Sequence, residues 1–580
     1  MPGPAIITVV RTHRKNSWKK PAVSVLCLSL VLAGAPATAS AAGDPADPYL
    51  HQSVEWGPCL FTAAAGASPA ECALVTVPRD WADPTAGTDL KVSISRVKAT
   101  GDRLGVILVN PGGPGGQGTT LAGAIAGLEP SVSQRYDFIG MDPRGTGQAG
   151  GTTPEQQGFL CEVPKGRLPA ATDLDARDRS PQSIAEHQKT PRAIAEACQS
   201  DAIAPYITTW QTTHDMDLIR RLLGESKLNY LGYSYGTWLG AKYASMFPAS
   251  TGKVILDSSV DWQGRLQADF EDFPVIDQRQ FDDVFLPWMS RQLPDVVGAT
   301  PAEAKATWEK AREFFIAQKI SPDTFDRAFV GMGSKLGWLL GALVFTIGAK
   351  GANGDTGEPA PALRDELDAR SMAEFGVPAA QLTAQKIAAV LSDDYLQVSG
   401  TRYAVACGDQ PTKSAAWYRA LSDRQGPRYP LYGWAYGLSE TCGFWSDAPK
   451  QQLPDLPSQV AGNVLVVQGE FDPQTGYEQA RAAVRAAPGV SLVSVDDAAY
   501  HGQYALTANP CVDGMVNVFL LANSRPGNAV CPSVPLSGES EVFPVAGPVK
   551  PVPTPRSARS AADSPLREAT QAYIGKVNSR

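Results

Sequence analysis

The chain is poor in the residues that build metal sites. It has five histidines in 580 residues, and neither C-x-x-C nor H-x-x-x-H spacing occurs. That leaves no zinc-type ligand set, so no metal or other cofactor is expected. Positive charge is also short: 51 Lys and Arg face 59 Asp and Glu, a net charge of −8. Such an acidic chain is a poor nucleic-acid ligand. One Gly-rich stretch, Pro111 to Gly116, lacks the Gly-Lys-Ser/Thr ending of a P-loop and the spacing of a dinucleotide fingerprint, which makes a phosphate cradle a weak reading.

The N-terminus lacks an apolar run long enough for a stable membrane anchor. Arg11, Arg14, Lys15, Lys19 and Lys20 precede the apolar run 21–35, and small residues follow from Ala37 to Ala42. Basic, apolar, then A-x-A reads as a secretory signal over residues 1–42, with cleavage near Ala41 or Ala42. Cys27 follows the bulky Leu26 inside the apolar run, which disfavours lipid attachment. Removing this segment and its five basic residues moves the formal charge from −8 to −13. The expectation is a secreted, extracellular protein.

What is present fits an exported globular protein. Apolar residues make up 43% and charged residues 19% of the chain, an ordinary soluble composition. Eight cysteines remain beyond the signal. Of the 105 connectivities they allow, proximity favours Cys59 with Cys72, Cys161 with Cys198, Cys407 with Cys442 and Cys511 with Cys531. Nothing calls for an obligate partner, and a monomer is expected.

Short apolar runs recur at 91–98, 106–109, 136–140, 228–231, 253–256, 463–467 and 490–495, with helical segments such as 215–223 among them. This pattern predicts an α/β fold, a mostly parallel sheet flanked by helices. Residues 43–90 read as irregular. Residues 258–403 depart from the pattern and read as a mainly helical cap insertion, with helices over 301–318 and 378–391. Core segments are then 43–257 and 404–535. The tail, 536–580, is expected to be poorly ordered, although 566–574 could form a helix.

The chemistry centres on Gly232-Tyr233-Ser234-Tyr235-Gly236, a G-x-S-x-G motif between a strand and a helix. A nucleophile on so tight a turn needs neighbours that are nearly free of side chains, and the helix N-terminus offers N–H groups to an anion. Ser234 is the candidate nucleophile. A serine needs a base and the base an orienting carboxylate, in the chain order Ser, acid, His. His501 is the one histidine after Ser234. Asp472, in a turn between a strand and a helix, is the preferred acid; Asp257, Glu470, Asp496 and Asp497 are alternatives. Gly113 and Tyr235 are the expected oxyanion-hole donors.

The motifs NPGGPGG, MDPRGTG, GYSYGTWLGAKYA, GEFDPQT and YHGQY, with WGPC near the start, resemble those of the secreted tripeptidyl aminopeptidases of actinomycetes. These belong to the proline iminopeptidase branch of the α/β-hydrolases. The resemblance spans about residues 50–535. It implies an α/β-hydrolase fold and places Ser234, Asp472 and His501 on the family triad, with Gly113 and Tyr235 on its oxyanion hole. Where the iminopeptidase branch usually has His before the glycines, Pro111 follows Asn110 here, which points away from single-proline specificity.

The implied function is a secreted serine exopeptidase that releases short peptides, tripeptides by the resemblance, from free N-termini of peptides or proteins. A carboxylesterase or lipase with the same triad is the alternative. An exopeptidase must bind a free α-ammonium, so acids of the insertion (Asp269, Glu271, Asp272, Asp277, Asp282, Asp283) are of interest. Glu271 and Asp272 are named as substrate-binding candidates.

Overall fold

The short apolar runs become the strands of one buried sheet. The computed structural model describes residues 44–170, 173–355, 365, 368, 395–446, 448–551 and 564–579. The signal segment and the helix expected over 378–391 lie outside them. Nine strands align as β1 (Glu71–Val77), β2 (Leu90–Val97), β4 (Tyr136–Asp142), β3 (Gly105–Asn110), β6 (Leu228–Ser234), β7 (Thr251–Ser259), β9 (Val464–Gly469), β10 (Ser491–Asp496) and β11 (Ala529–Pro532). The β1–β2 and β2–β4 pairings are antiparallel and the others parallel. A second, two-stranded sheet pairs β5 (Leu160–Pro164) with β8 (Tyr395–Ser399).

Every residue of β3, β4, β6, β9 and β10 is buried. Alternation then sorts side chains between the two faces. Val106, Leu108, Tyr230, Val464 and Val466 pack in one apolar cluster, and Ile107, Val109, Leu231, Tyr233, Leu465 and Val467 in the other. The helices that matter for the site are α1 (Thr119–Leu128), α2 (Thr209–Leu222), α3 (Tyr235–Met246), α4 (Pro301–Ala317), α5 (Lys335–Ala352) and α6 (Pro565–Val577).

The sequence pattern missed some elements. β1 lies in the stretch read as irregular. Neighbouring strands β7 and β9 are separated by residues 260–463, so the sheet resumes at Val464, well beyond residue 404. The described part of that excursion is mostly helical. Its own core is aromatic: Phe281, Phe285, Trp288, Trp308, Phe325, Phe329 and Trp338 pack together, and burying each such ring contributes roughly 1.5–3 kcal/mol. A capping box of Thr300 and Glu303 starts α4. In the tail, the helix allowed over 566–574 forms, and it packs rather than being poorly ordered. Residues 565–577 form α6, whose Leu566, Thr570 and Ile574 are buried at helical spacing.

All four cysteine pairs favoured by proximity are disulfides here. Closing loops of 13 to 37 residues, each restricts the unfolded chain by about 3–4 kcal/mol. Among the described residues, no helix is long and apolar enough to cross a membrane.

The MDPRGTG segment after β4 is anchored by a fully buried ion pair. Arg144 Nε donates to Asp215 Oδ2 of α2 at 2.7 Å and Nη2 to Oδ1 at 2.5 Å. Trp81 Nε1 donates to the same carboxylate at 2.8 Å, and the guanidinium also donates to the carbonyls of Pro78, Arg79 and Tyr206. Removing one charge strands the other in the interior, a cost of about 3–5 kcal/mol. Asp215→Ala should therefore lower Tm steeply in calorimetry, whereas an unchanged Tm would mean that the pair contributes nothing to the fold.

Candidate active site

Ser234 ends β6 and caps α3 in a conformation seldom adopted by an L-residue, φ 56° and ψ −125°. Crowding fixes both flanking glycines. A Cβ on Gly232 would lie 2.5 Å from the carbonyl oxygen of Gly236, and one on Gly236 2.9 Å from Asn110 Oδ1. Surrounding contacts over-determine the strained turn. Tyr230 donates its hydroxyl hydrogen to the Gly236 carbonyl at 2.8 Å, and Thr237 Oγ1 donates to the Ser234 carbonyl at 2.6 Å.

His501 and Asp472 meet in a water-poor setting. Both side chains are fully buried, and His501 Nδ1 lies 2.9 Å from each oxygen of Asp472. The carboxylate is itself fixed. Its Oδ1 accepts from the Gln474 and Thr475 amides at 2.8 and 3.1 Å, and its Oδ2 from Thr475 Oγ1 at 3.1 Å. On the other side of the ring, Nε2 is buried and has no hydrogen-bond partner among the described residues. The His501 amide donates to the Gly333 carbonyl at 2.8 Å, which ties the histidine loop to the excursion between β7 and β9. A Cβ on Gly502 would sit 3.4 Å from Tyr233 Cδ1, so the loop runs directly against the nucleophile turn.

The other candidate acids face elsewhere. Asp257 accepts the Gln503 amide at 3.0 Å and the Tyr504 amide at 2.6 Å, and so clamps the backbone after His501. Burial pushes its carboxyl up to about 7. Glu470 accepts from the Asp497 and Val549 amides, and Asp497 from the Val545 amide. Asp496 ends β10.

The Gly-rich loop after β3 lies over Ser234. A Cβ on Gly112 would be 2.9 Å from Ser234 Cβ. The Gly113 amide donates to Asn578 Oδ1 at 2.5 Å, so an oxygen acceptor from the C-terminal segment occupies this position. Tyr235 is the first residue of α3.

Beside this loop is a cavity of about 460 Å³ lined by Phe270, Phe273, Arg402, Tyr432, Tyr436 and Glu440, among others. Arg402 joins cavity to loop: its amide nitrogen would lie 3.5 Å from a Cβ on Gly115. Two carboxylates line the cavity. Asp323 is paired with His187 at 2.8 Å, while Glu440 Oε1 accepts from the Cys442 amide at 3.1 Å. Burial pushes the Glu440 carboxyl up, and the nearby charge of Glu271 adds to the rise.

Glu271 and Asp272 are not among the lining residues. Glu271 pairs with Arg265 at 3.2 Å, and Asp272 is hydrogen-bonded to Gln479. Asp269 accepts from the Asp261 amide, Asp277 from the Gly331 amide, and Asp282 pairs with Lys305. Nothing in the sequence singles out Glu440 or Arg402, which lie outside the acidic run and in no recognisable motif.

Residues 105–331 match the model of the alpha/beta hydrolase fold and residues 429–531 that of TAP-like protein. A tripeptidyl aminopeptidase of Streptomyces lividans is 29% identical over 78% of this chain and 82% of its own. A serine protease Hip1 of Mycobacterium tuberculosis is 26% identical over 87% and 95%. A carboxylesterase B of Mycobacterium tuberculosis is 26% identical over 85% and 93%.

The geometry sets a mutational pattern. Ser234→Ala and His501→Ala should each lower kcat for any turned-over substrate by about 10³-fold or more, and Asp472→Asn by about 10⁴-fold, without loss of fold. Asp257→Asn should leave most activity in place. If Asp257→Asn matched Asp472→Asn in kcat, the assignment of the acid would reverse.

Proposed function

From an α/β-hydrolase homologous to the tripeptidyl aminopeptidases, we propose an exported serine exopeptidase that releases short peptides, most simply tripeptides, from free N-termini. The observation that carries the reading is the buried Asp472–His501 pair, its Nε2 without a hydrogen-bond partner among the described residues and its loop packed against the strained serine turn.

Ser234 Oγ attacks the scissile carbonyl carbon as its proton passes to His501 Nε2. Asp472 accepts from Nδ1–H and stabilises the imidazolium. The carbonyl oxygen becomes an oxyanion held by the Gly113 and Tyr235 amides. Collapse breaks the C–N bond, and His501 returns the proton to the departing amine. Water then repeats the sequence on the acyl-enzyme, releasing the short peptide and restoring Ser234.

Glu440 is the carboxylate best placed to receive a substrate ammonium: it lines the cavity, and the negative charge of Glu271 acts on it. A cation in a partly dry cleft needs such a partner. This separates the reading from its rival, an esterase, which the likeness to carboxylesterase B keeps in view. Four disulfides and the basic–apolar–small N-terminal pattern support export.

A free tripeptide amide should be cleaved, its N-acetylated form not, and a short-chain ester only slowly. Glu440→Gln should raise KM for the free-amine substrate by about tenfold or more and spare the ester. Because the Glu440 carboxyl is held above its ordinary range, it loses its charge at a higher pH than an exposed glutamate. KM for the free amine should therefore rise on acidification before exposed carboxylates protonate, with no such rise for the ester. Equal damage to both substrates would reject the assignment.

A further inference from the structure

We propose that α6 and the residues after it are a built-in inhibitor, with the Asn578 carboxamide standing in the oxyanion site as a substrate carbonyl would. The inference rests on the reading of Ser234 as nucleophile.

The contact is specific. Asn578 Oδ1 accepts from the Gly113 amide at 2.5 Å, and Nδ2 donates to the Pro111 carbonyl at 2.8 Å and the Ile574 carbonyl at 2.8 Å. The carboxamide is thus held at both ends, and the asparagine is buried. The same oxygen would lie 2.5 Å from a Cβ on Gly112, a position 2.9 Å from Ser234 Cβ. Asn578 is also the C-cap of α6, so the helix end itself carries the carboxamide to the oxyanion loop.

The rest of α6 secures it. Tyr573 donates its hydroxyl hydrogen to the Gln117 carbonyl at 2.5 Å, just beyond the oxyanion loop. Gln474, two residues from Asp472, donates to the Gly575 carbonyl at 2.9 Å and to the Gly331 carbonyl at 2.8 Å. Arg402, on the cavity wall, donates to the Ser579 carbonyl. Ile574 is fully buried in the apolar cluster beneath. The segment therefore spans the oxyanion loop, the turn that bears the acid and the edge of the cavity. A substrate carbonyl can reach Gly113 only when Asn578 has left it, so displacement or removal of the segment would switch the enzyme on.

The test compares the full chain, Asn578→Ala and a chain ending at Ser564, by their rates of labelling with a fluorophosphonate. This probe needs the nucleophile but no peptide recognition. Asn578→Ala should label about fivefold to tenfold faster than the full chain, the effect of losing one hydrogen bond to the occupant, and the shortened chain faster still. A synthetic peptide of residues 565–579 should bind the shortened chain in calorimetry and slow its labelling, and the same peptide with Asn578→Ala should bind more weakly. Equal labelling of the full chain and Asn578→Ala, or peptide binding indifferent to Asn578, would overturn the proposal. If the shortened chain bound the peptide through Asn578 yet was never labelled, occlusion would stand and Ser234 as nucleophile would fall. Should the shortened chain not fold, the comparison of Asn578→Ala with the full chain decides alone.

Discussion

The site depends on one buried contact, His501 Nδ1 on the Asp472 carboxylate. In the dry interior this bond fixes the ring and its tautomer, because a carboxylate saturated by the Gln474 and Thr475 amides and the Thr475 hydroxyl has little freedom to turn. Proton traffic is thereby confined to Nε2. Chain segments far apart in sequence serve this bond: β9 leads to the turn that bears Asp472, β10 leads to the loop that bears His501, and Asp257 at the end of β7 grips the backbone just past the histidine.

The parallel sheet makes the meeting possible. Side chains needed at one point must come from strand ends that lie side by side, and β6, β7, β9 and β10 are consecutive neighbours. Their interiors are buried and largely apolar, while their C-terminal ends carry Ser234, Asp257, the Asp472 turn and the His501 loop. The excursion between β7 and β9 supplies what a bare sheet edge lacks. It brings Gly333 against the His501 amide and walls a cavity whose lining includes a carboxylate with an elevated protonation range.

Much of this was legible in the sequence, because local rules govern it. G-x-S-x-G needs two crowded glycines, buried parallel strands need unbroken apolar runs, and nearby cysteines paired as proximity suggests. The sequence separates Asp472 from Asp257 less sharply, since both lie near the carboxyl ends of neighbouring strands; what distinguishes them is that the Asp472 carboxylate meets the His501 imidazole while Asp257 meets the amides after it, a fact of three dimensions. β1, with the mixed sequence ECALVTV on the rim of the sheet, gave too irregular a pattern to be read. Glu440 matters only because folding turns it to the cavity. The contact of Asn578 with Gly113 spans 465 residues, and nothing near position 578 signals it.

Occlusion by α6 and the catalytic arrangement are two aspects of one geometry, since a site that stabilises an oxyanion will also accept a neutral carboxamide oxygen. The claim beneath both is that Ser234 becomes covalently acylated. Acid-quenched mass spectrometry of the protein during turnover of a tripeptide ester tests it directly. The expected result is one acyl group on the peptide that contains Gly232 to Gly236, absent in Ser234→Ala; sustained turnover with Ser234 unmodified would contradict the account.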